Sequence, residues 1–239
     1  MPVYCITGTN RGLGLEFVRQ LAQSNDNTII AAVRSLSSDL TDLKAVASPT
    51  THILECDTGN IPSIHTFVKA VARTLGEGKK IDYLLNVAGV NLASSQSSLN
   101  LGPDELHAQL SINVIGPAKT VELFLDAGLL SPDVRVLNMT SGLASLQLST
   151  QSARKCAGYS ISKAALNMLT VHQSADLRAQ LPGAVVIVMD PGWVKTRMGG
   201  AGAQMEPSKS IGDMLVVLHG LRPEDTGSFY CHNGEKLPW

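Results

Sequence analysis

The 239-residue chain has little that would draw it to a polyanion or a bilayer. Its formal net charge is −1, it has no basic block, and aromatic residues make up only 4% of it. A nucleic-acid or membrane-surface partner therefore has no electrostatic support. No apolar run is long enough to span a bilayer. No charged segment precedes the first apolar run, and the chain enters Pro2-Val3-Tyr4-Cys5-Ile6 directly, so no signal peptide is expected. Cys5, Cys56, Cys156 and Cys231 are scattered without a CxxC, and the histidines lack ligand spacing. Both patterns argue against a disulfide framework and a metal site. The expectation is a cytoplasmic protein with reduced cysteines, no metal, no nucleic-acid partner and no membrane span.

What the chain does have is apolar residue, 44% of the total, in a length normal for one α/β domain covering 1–239. Apolar runs lie at 3–7, 28–33, 52–56, 81–87, 134–138, 184–189 and 228–231. Several are continuously apolar, as parallel strands buried on both faces are. Between them the period turns helical: Ile64, Phe67, Val68, Val71 and Leu75 form one stripe, and Ile211, Met214, Leu215 and Leu218 another. This alternation predicts right-handed βαβ crossovers and an α/β, Rossmann-type doubly wound open parallel sheet of about seven strands with helices on both faces. Residues 93–101 read as a surface loop.

The first run ends in Thr7-Gly8-Thr9-Asn10-Arg11-Gly12-Leu13-Gly14, followed by a helical pattern through Val18 and Leu21. This is TGxxxGxG in a strand–turn–helix context. Glycines allow a tight turn and close backbone approach, and the helix N-terminus offers free N–H groups to a pyrophosphate. A loop that merely happens to contain glycines would lack that context. After the second run an acidic residue would accept from the ribose 2′-hydroxyl of NAD(H). Here Arg34 stands instead, with Arg11 in the glycine loop. Two guanidinium groups suit a 2′-phosphate and point to NADP(H), unless one or both are ordinary solvated arginines.

Tyr159 and Lys163 are spaced i, i+4 at the start of a helical stretch, on one face. An ammonium about 4 Å from a phenol could contribute up to about 4 kcal/mol at a surface-like dielectric, roughly three pKa units, enough for acid–base work. Alone, YxxxK is weak, since helices carry packing tyrosines by chance. Ser141 follows the fifth apolar run, where a hydroxyl reaches the ligand side of an α/β sheet; the alternative is a turn serine. Asn113 lies in a helical stretch at 105–123, four residues before Pro117. Proline has no N–H, so the Asn113 carbonyl loses its helical donor, and the helix is expected to kink and leave that carbonyl free for water. A tolerated kink without function is the other reading.

Together these residues resemble the short-chain dehydrogenase/reductase family in its compact branch, along the whole chain. The motifs are Thr7 to Gly14, Asp57, Asn86-Val87-Ala88-Gly89, Asn113, Ser141, Tyr159 with Lys163, and Pro191-Gly192-Trp193-Val194-Lys195-Thr196. The tail, Gly227-Ser228-Phe229-Tyr230 to Pro238-Trp239, is similar to that of C-factor/sniffer-like carbonyl reductases. The resemblance implies cofactor contacts from Gly8, Asn10, Arg11, Gly12, Leu13, Gly14, Arg34, Asp57, Asn86, Ala88, Gly89, Tyr159, Lys163, Pro191, Gly192, Val194 and Thr196. It implies that Ser141 polarises a substrate carbonyl, Tyr159 donates the proton, Lys163 holds the nicotinamide ribose and Asn113 holds a relay water. It also implies pairing into a homodimer or homotetramer through the helices of Asn113 and Tyr159. Val87 departs from the family's second Asn. The gap from Ser141 to Tyr159 is long, so Ser145 rivals Ser141, and residues 144–157 are expected to be a looped insertion.

Residues 193–206 are rich in glycine and methionine and read as a short, mobile substrate lid. Trp193, Met198 and Met205 are its apolar lining, or else plain packing residues. No charged cluster awaits a carboxylate, so an uncharged ketone, quinone or aldehyde is expected. A non-catalytic NADP(H)-binding regulator on the same fold and an NAD-dependent alcohol dehydrogenase are the alternatives.

Overall fold

The seven apolar runs become seven strands: β1 (Val3–Thr7), β2 (Thr28–Val33), β3 (Thr51–Glu55), β4 (Ile81–Asn86), β5 (Leu130–Met139), β6 (Val185–Asp190) and β7 (Phe229–Cys231). β5 starts four residues before its apolar run because Leu130 already pairs with Ile81, ahead of a register shift. The structure is a computed structural model that describes residues 1–151 and 156–239. All pairings are parallel, in the order β3-β2-β1-β4-β5-β6-β7. The order reverses between β1 and β4, and a crevice opens at the carboxyl ends of the strands there.

Two apolar layers sandwich the sheet. On one face α1 (Gly12–Leu21) and α8 (Pro207–Gly220) bury Phe17, Val18, Ile211 and Met214 against Ile6, Ile29 and Ile187. On the other, α3 (Ile61–Leu75), α5 (Gly116–Asp126) and α7 (Ala157–Gln180) cover Cys5, Ile30 and Val186. Phe67 and Phe124 meet edge-to-face there at 5.7 Å. α2 (Thr41–Val46) is short and buries only Leu43.

Two stretches depart from expectation. The helix expected over 105–123 is broken into α4 (Pro103–Leu110), a π-turn at Ser111–Ile115, and α5. The Gly116 N–H reaches back five residues to the Ser111 carbonyl. Pro117 cannot donate to Asn113, and the backbone widens by one residue instead of simply bending. Residues 144–157 are not one loop: a 3₁₀ turn at Gly142–Ala144 leads into α6 (Leu146–Ser149). The Ser141 hydroxyl accepts from Leu143 N and the Ser145 hydroxyl from Leu148 N, so each serine starts a turn. Residues 152–155 of that stretch lie outside the described residues.

A polar column crosses the apolar sheet. Asn86 Nδ2 donates to Asn138 Oδ1 at 2.9 Å, and Asn138 Nδ2 donates to Thr170 Oγ1 (2.8 Å) and Gln173 Oε1 (2.9 Å) on α7. Among the described residues no helix is long and apolar enough to cross a membrane, and all four cysteines are free.

Candidate active site

The crevice is a cleft of about 640 Å³ whose walls include Asn10 to Gly14, Arg34, Asp57, Ala88, Gly89, Thr196 and Met198. The glycine turn is shaped by close approach. Gly8 has φ +76, and a Cβ there would meet Ala88 Cα at 2.9 Å. A Cβ on Gly14 would come within 2.2 Å of the Gly8 carbonyl oxygen. The turn hangs from β2 through the Gly8 and Thr9 N–H groups, which both donate to Ala32 O at 3.0 Å. At the cleft mouth Arg11 is close enough to Arg34 and Arg197 for their charges, after burial, to lower its pKa. Three guanidiniums thus converge where two were expected. Arg197 escaped the sequence reading because it lies one residue past the last motif.

Thr7 has a role that spacing did not reveal. Its hydroxyl accepts the N–H groups of Val87 (3.0 Å) and Ala88 (3.1 Å), which ties the turn after β4 to the end of β1. Asn86 faces Asn138 in the polar column and does not line the cleft. Asp57 Oδ1 accepts from Gly59 N at 3.0 Å. Beyond β6, Gly192 has φ +80, Pro191 O accepts from Ser210 Oγ at 2.7 Å, and Val194 is buried.

Ser141, just past the carboxyl end of β5, is near enough to the Tyr159 hydroxyl to pull its pKa down, while its own hydroxyl accepts from Leu143 N at 3.2 Å. Ser145 is fully buried, caps α6 and bonds Trp239 O at 3.3 Å. The structure therefore brings Ser141, and not Ser145, to the tyrosine. Lys163 is buried, with Nζ donating to Met139 O at 2.7 Å and standing 5.8 Å from the Tyr159 ring centroid. Asn113 is fully buried too: Oδ1 accepts from Val90 N (2.8 Å), and Nδ2 donates to Val90 O and Ser162 Oγ, both at 2.9 Å.

The electrostatics correct one expectation. Lys163 was expected to lower the Tyr159 pKa. Instead, burial and then the charge of Asp190 push the phenol above its usual range, partly opposed by the nearby Ser141 hydroxyl. Lys163 is itself pushed down to about 7 by burial. An ammonium that is half lost at neutral pH and committed to a carbonyl has little charge left to lend. Tyr159 is thus held as a neutral phenol, the form that donates.

The lowered lysine has a consequence for stability. Above its folded pKa the unfolded chain binds more protons than the folded one, so unfolding free energy rises with pH. From pH 7 to pH 8 this contributes about 1 kcal/mol. Urea midpoints should rise over that interval, and Lys163→Met should flatten the rise.

The 193–206 segment is a cross-tied loop. Val194 bridges Met205, Lys195 N donates to Met205 O at 2.8 Å, and Trp193 Nε1 donates to Gly199 O at 2.8 Å. Its glycines serve close packing: a Cβ on Gly199 would sit 2.1 Å from Val194 O, and one on Gly202 2.6 Å from the Trp193 ring. Met198 lines the cleft, Met205 packs on Gly192, and the Trp193 ring covers its own loop while 58% exposed.

A family model for short chain dehydrogenases matches residues 2–207. C-signal of Myxococcus xanthus is 34% identical over 160 residues, 66% of this chain and 93% of that protein. The NADPH-bound carbonyl reductase from chicken fatty liver has a TM-score of 0.90 at 30% identity, covering 100% of both chains. Carbonyl reductase Sniffer of D. melanogaster gives 0.89 at 28%, again over 100% of both. The chain is an oxidoreductase that belongs to the short chain dehydrogenase family.

Proposed function

We propose that the protein is an NADPH-dependent reductase of uncharged ketones, quinones or aldehydes, with Tyr159 as general acid. The observation that carries this reading is the hydroxyl pair of Ser141 and Tyr159 beside Lys163, next to a glycine-walled cleft ringed by Arg11, Arg34 and Arg197. The cleft fits a dinucleotide. Side-chain-free glycines line the floor at the N-terminus of α1, and three guanidiniums suit a 2′-phosphate. Gly8, Asn10, Gly12 and Leu13 would hold the pyrophosphate side, Asp57 the adenine, and Ala88, Gly89, Val194 and Thr196 the nicotinamide half. The cofactor, when bound, supplies hydride to the carbonyl carbon.

This chain's own residues do the rest. Ser141 would donate a hydrogen bond to the carbonyl oxygen and Tyr159 would deliver the proton to it. Lys163 would hold the ribose from the floor of the site. Asn113, its side chain held by Val90 and Ser162, would present its backbone carbonyl, to which Pro117 cannot donate, to a relay water. The NADPH-bound chicken reductase and Sniffer are full-length likenesses that support the carbonyl reductase reading.

A panel of neutral ketones, quinones and aldehydes with NADPH tests the proposal. Tight NADPH binding without turnover on any of them would sink it in favour of a cofactor-binding regulator. Cofactor choice has its own test. A charge-assisted hydrogen bond contributes about 1.5–3 kcal/mol, so Arg34→Asp should weaken NADPH relative to NADH by roughly 10- to 100-fold. Preference for NADH in the unsubstituted protein would overturn the cofactor assignment.

A further inference from the structure

After β7 the chain doubles back. Cys231 N donates to Glu235 O at 2.8 Å around Gly234, whose φ is +89. Lys236 then bridges Tyr230 in antiparallel register, and Leu237 N donates to Phe229 O at 2.8 Å. This lays the Trp239 ring against that of Phe229, a buried residue of the sheet, with centroids 5.5 Å apart. Trp239 itself is 43% exposed, so the tail is fastened at the sheet edge and not sunk in the core.

The carbonyl of Trp239 lands on the segment that joins Ser141 to Tyr159. It accepts from Gln147 N at 3.1 Å, in the first turn of α6, and from the Ser145 hydroxyl at 3.3 Å. Ser145 is tied in turn to Ser141. Its N–H donates to Gly142 O at 3.1 Å, Ala144 N donates to Ser141 O at 2.9 Å, and Leu143 N donates to the Ser141 hydroxyl at 3.2 Å. Residues 141–145 are therefore one hydrogen-bonded turn, with Ser141 at its entry and Ser145 at its exit. Ala144 and Ser145 are buried, so the exit cannot shift without disturbing the entry.

We infer that Trp239 is a positioning residue for carbonyl reduction: acting through Ser145, it latches the turn that presents Ser141. The inference rests on the reading of Ser141 as the group that meets the carbonyl oxygen. It gives the two serines different work, since Ser141 faces the substrate and Ser145 faces the tail. Misplacing a reacting group by about an ångström costs up to about a hundredfold in rate. A latch remote from the chemistry is therefore expected to show in kcat. A tail that only added packing would show in stability and leave the turnover of the folded protein unchanged.

The test compares Trp239→Gly, which removes the ring that fastens the tail to Phe229, with Trp239→Phe, which keeps a ring there. In NADPH-dependent reduction of the best carbonyl, Trp239→Gly is expected to lose roughly 10- to 100-fold in kcat, with KM for NADPH little changed and most of the loss recovered in Trp239→Phe. Ser145→Ala should lose about as much, and the two changes together no more than the worse single one, because both open the same latch. A kcat in Trp239→Gly within twofold of the original overturns the proposal, and so do losses that multiply in the double variant. If Trp239→Gly does not fold, Ser145→Ala carries the same expectation and the same overturning result. The latch is also read without turnover in Trp193→Phe, where Trp239 is the one remaining tryptophan. Adding Ser145→Ala should shift its emission to the red and increase its quenching by acrylamide. Emission and quenching that stay the same overturn the latch. A latch that opens in this way in a protein that turns over no carbonyl would overturn the reductase reading and leave the hold of the tail on the turn standing.

Discussion

Replacing Tyr159 by Phe is expected to lower kcat/KM for carbonyl reduction by about a thousandfold, the middle of the range for a general acid, while leaving NADPH affinity within a few-fold. The ring stays and only the hydroxyl goes, so the packing of α7 is spared. The partner hydroxyl of Ser141 then has no acid beside it. Lys163 cannot take over, because its Nζ is committed to Met139 O. NADPH oxidation with the best substrate measures the loss, and cofactor fluorescence measures binding. A rate within tenfold of the original would mean that the proton comes from somewhere other than Tyr159.

The second large effect is expected at Gly14. An alanine Cβ there would lie 2.2 Å from the Gly8 carbonyl oxygen and 2.8 Å from its carbon. Both are backbone atoms held by the hydrogen bonds of Gly8 and Thr9 to Ala32, so neither can swing away as a side chain would. The turn must open, at a cost of about 1–3 kcal/mol in stability. Opening it also displaces the N–H groups that face the cleft, and NADPH affinity should fall at least a hundredfold. Gly220→Ala is the matched control. Nothing lies within 4 Å of the added Cβ, and that protein should bind NADPH normally. An intact NADPH affinity in Gly14→Ala would show that the cleft does not depend on the closeness of this turn.

The parts of the molecule that announce themselves in sequence are those whose physics is local. The seven strands are visible because burial on both faces makes each a continuous apolar run. The glycine turn and the Tyr159/Lys163 spacing are visible because a tight turn and one helix face are short-range constraints. Pro117 announces a break in the helix for the same reason. The form of that break, a π-turn, is not announced: it surrounds Asn113, whose side chain is bonded to Val90 and Ser162, residues far away in sequence.

What could not be read is set by contacts between distant segments. Arg197 joins Arg11 and Arg34 along one cleft only because the loop after β6 returns to the glycine turn, where Thr196 faces Gly12. Ser141 and Ser145 are equivalent on paper. They separate once Ser145 is seen capping α6 and holding Trp239 O, 94 positions along the chain. The expected lowering of the Tyr159 phenol failed because burial acts on both members of the pair and because Asp190 is brought in from β6. Asp190 did leave one trace in the sequence: a charge closing an otherwise apolar strand.

The polar column through the sheet sets the alignment of the molecule. Asn138 bonds Asn86 on the neighbouring strand and Thr170 and Gln173 on α7. Apolar packing alone tolerates sliding, since one leucine surface resembles the next. If α7 slid by one residue along β5, amide and hydroxyl groups in a dry interior would be left without partners, each costing about 1–3 kcal/mol. Such a column adds little net stability, but it makes neighbouring alignments expensive. Tyr159 and Lys163 ride on the first turns of the helix it pins. The accuracy with which a proton donor meets its target is thus set near the middle of α7, by an asparagine that touches neither.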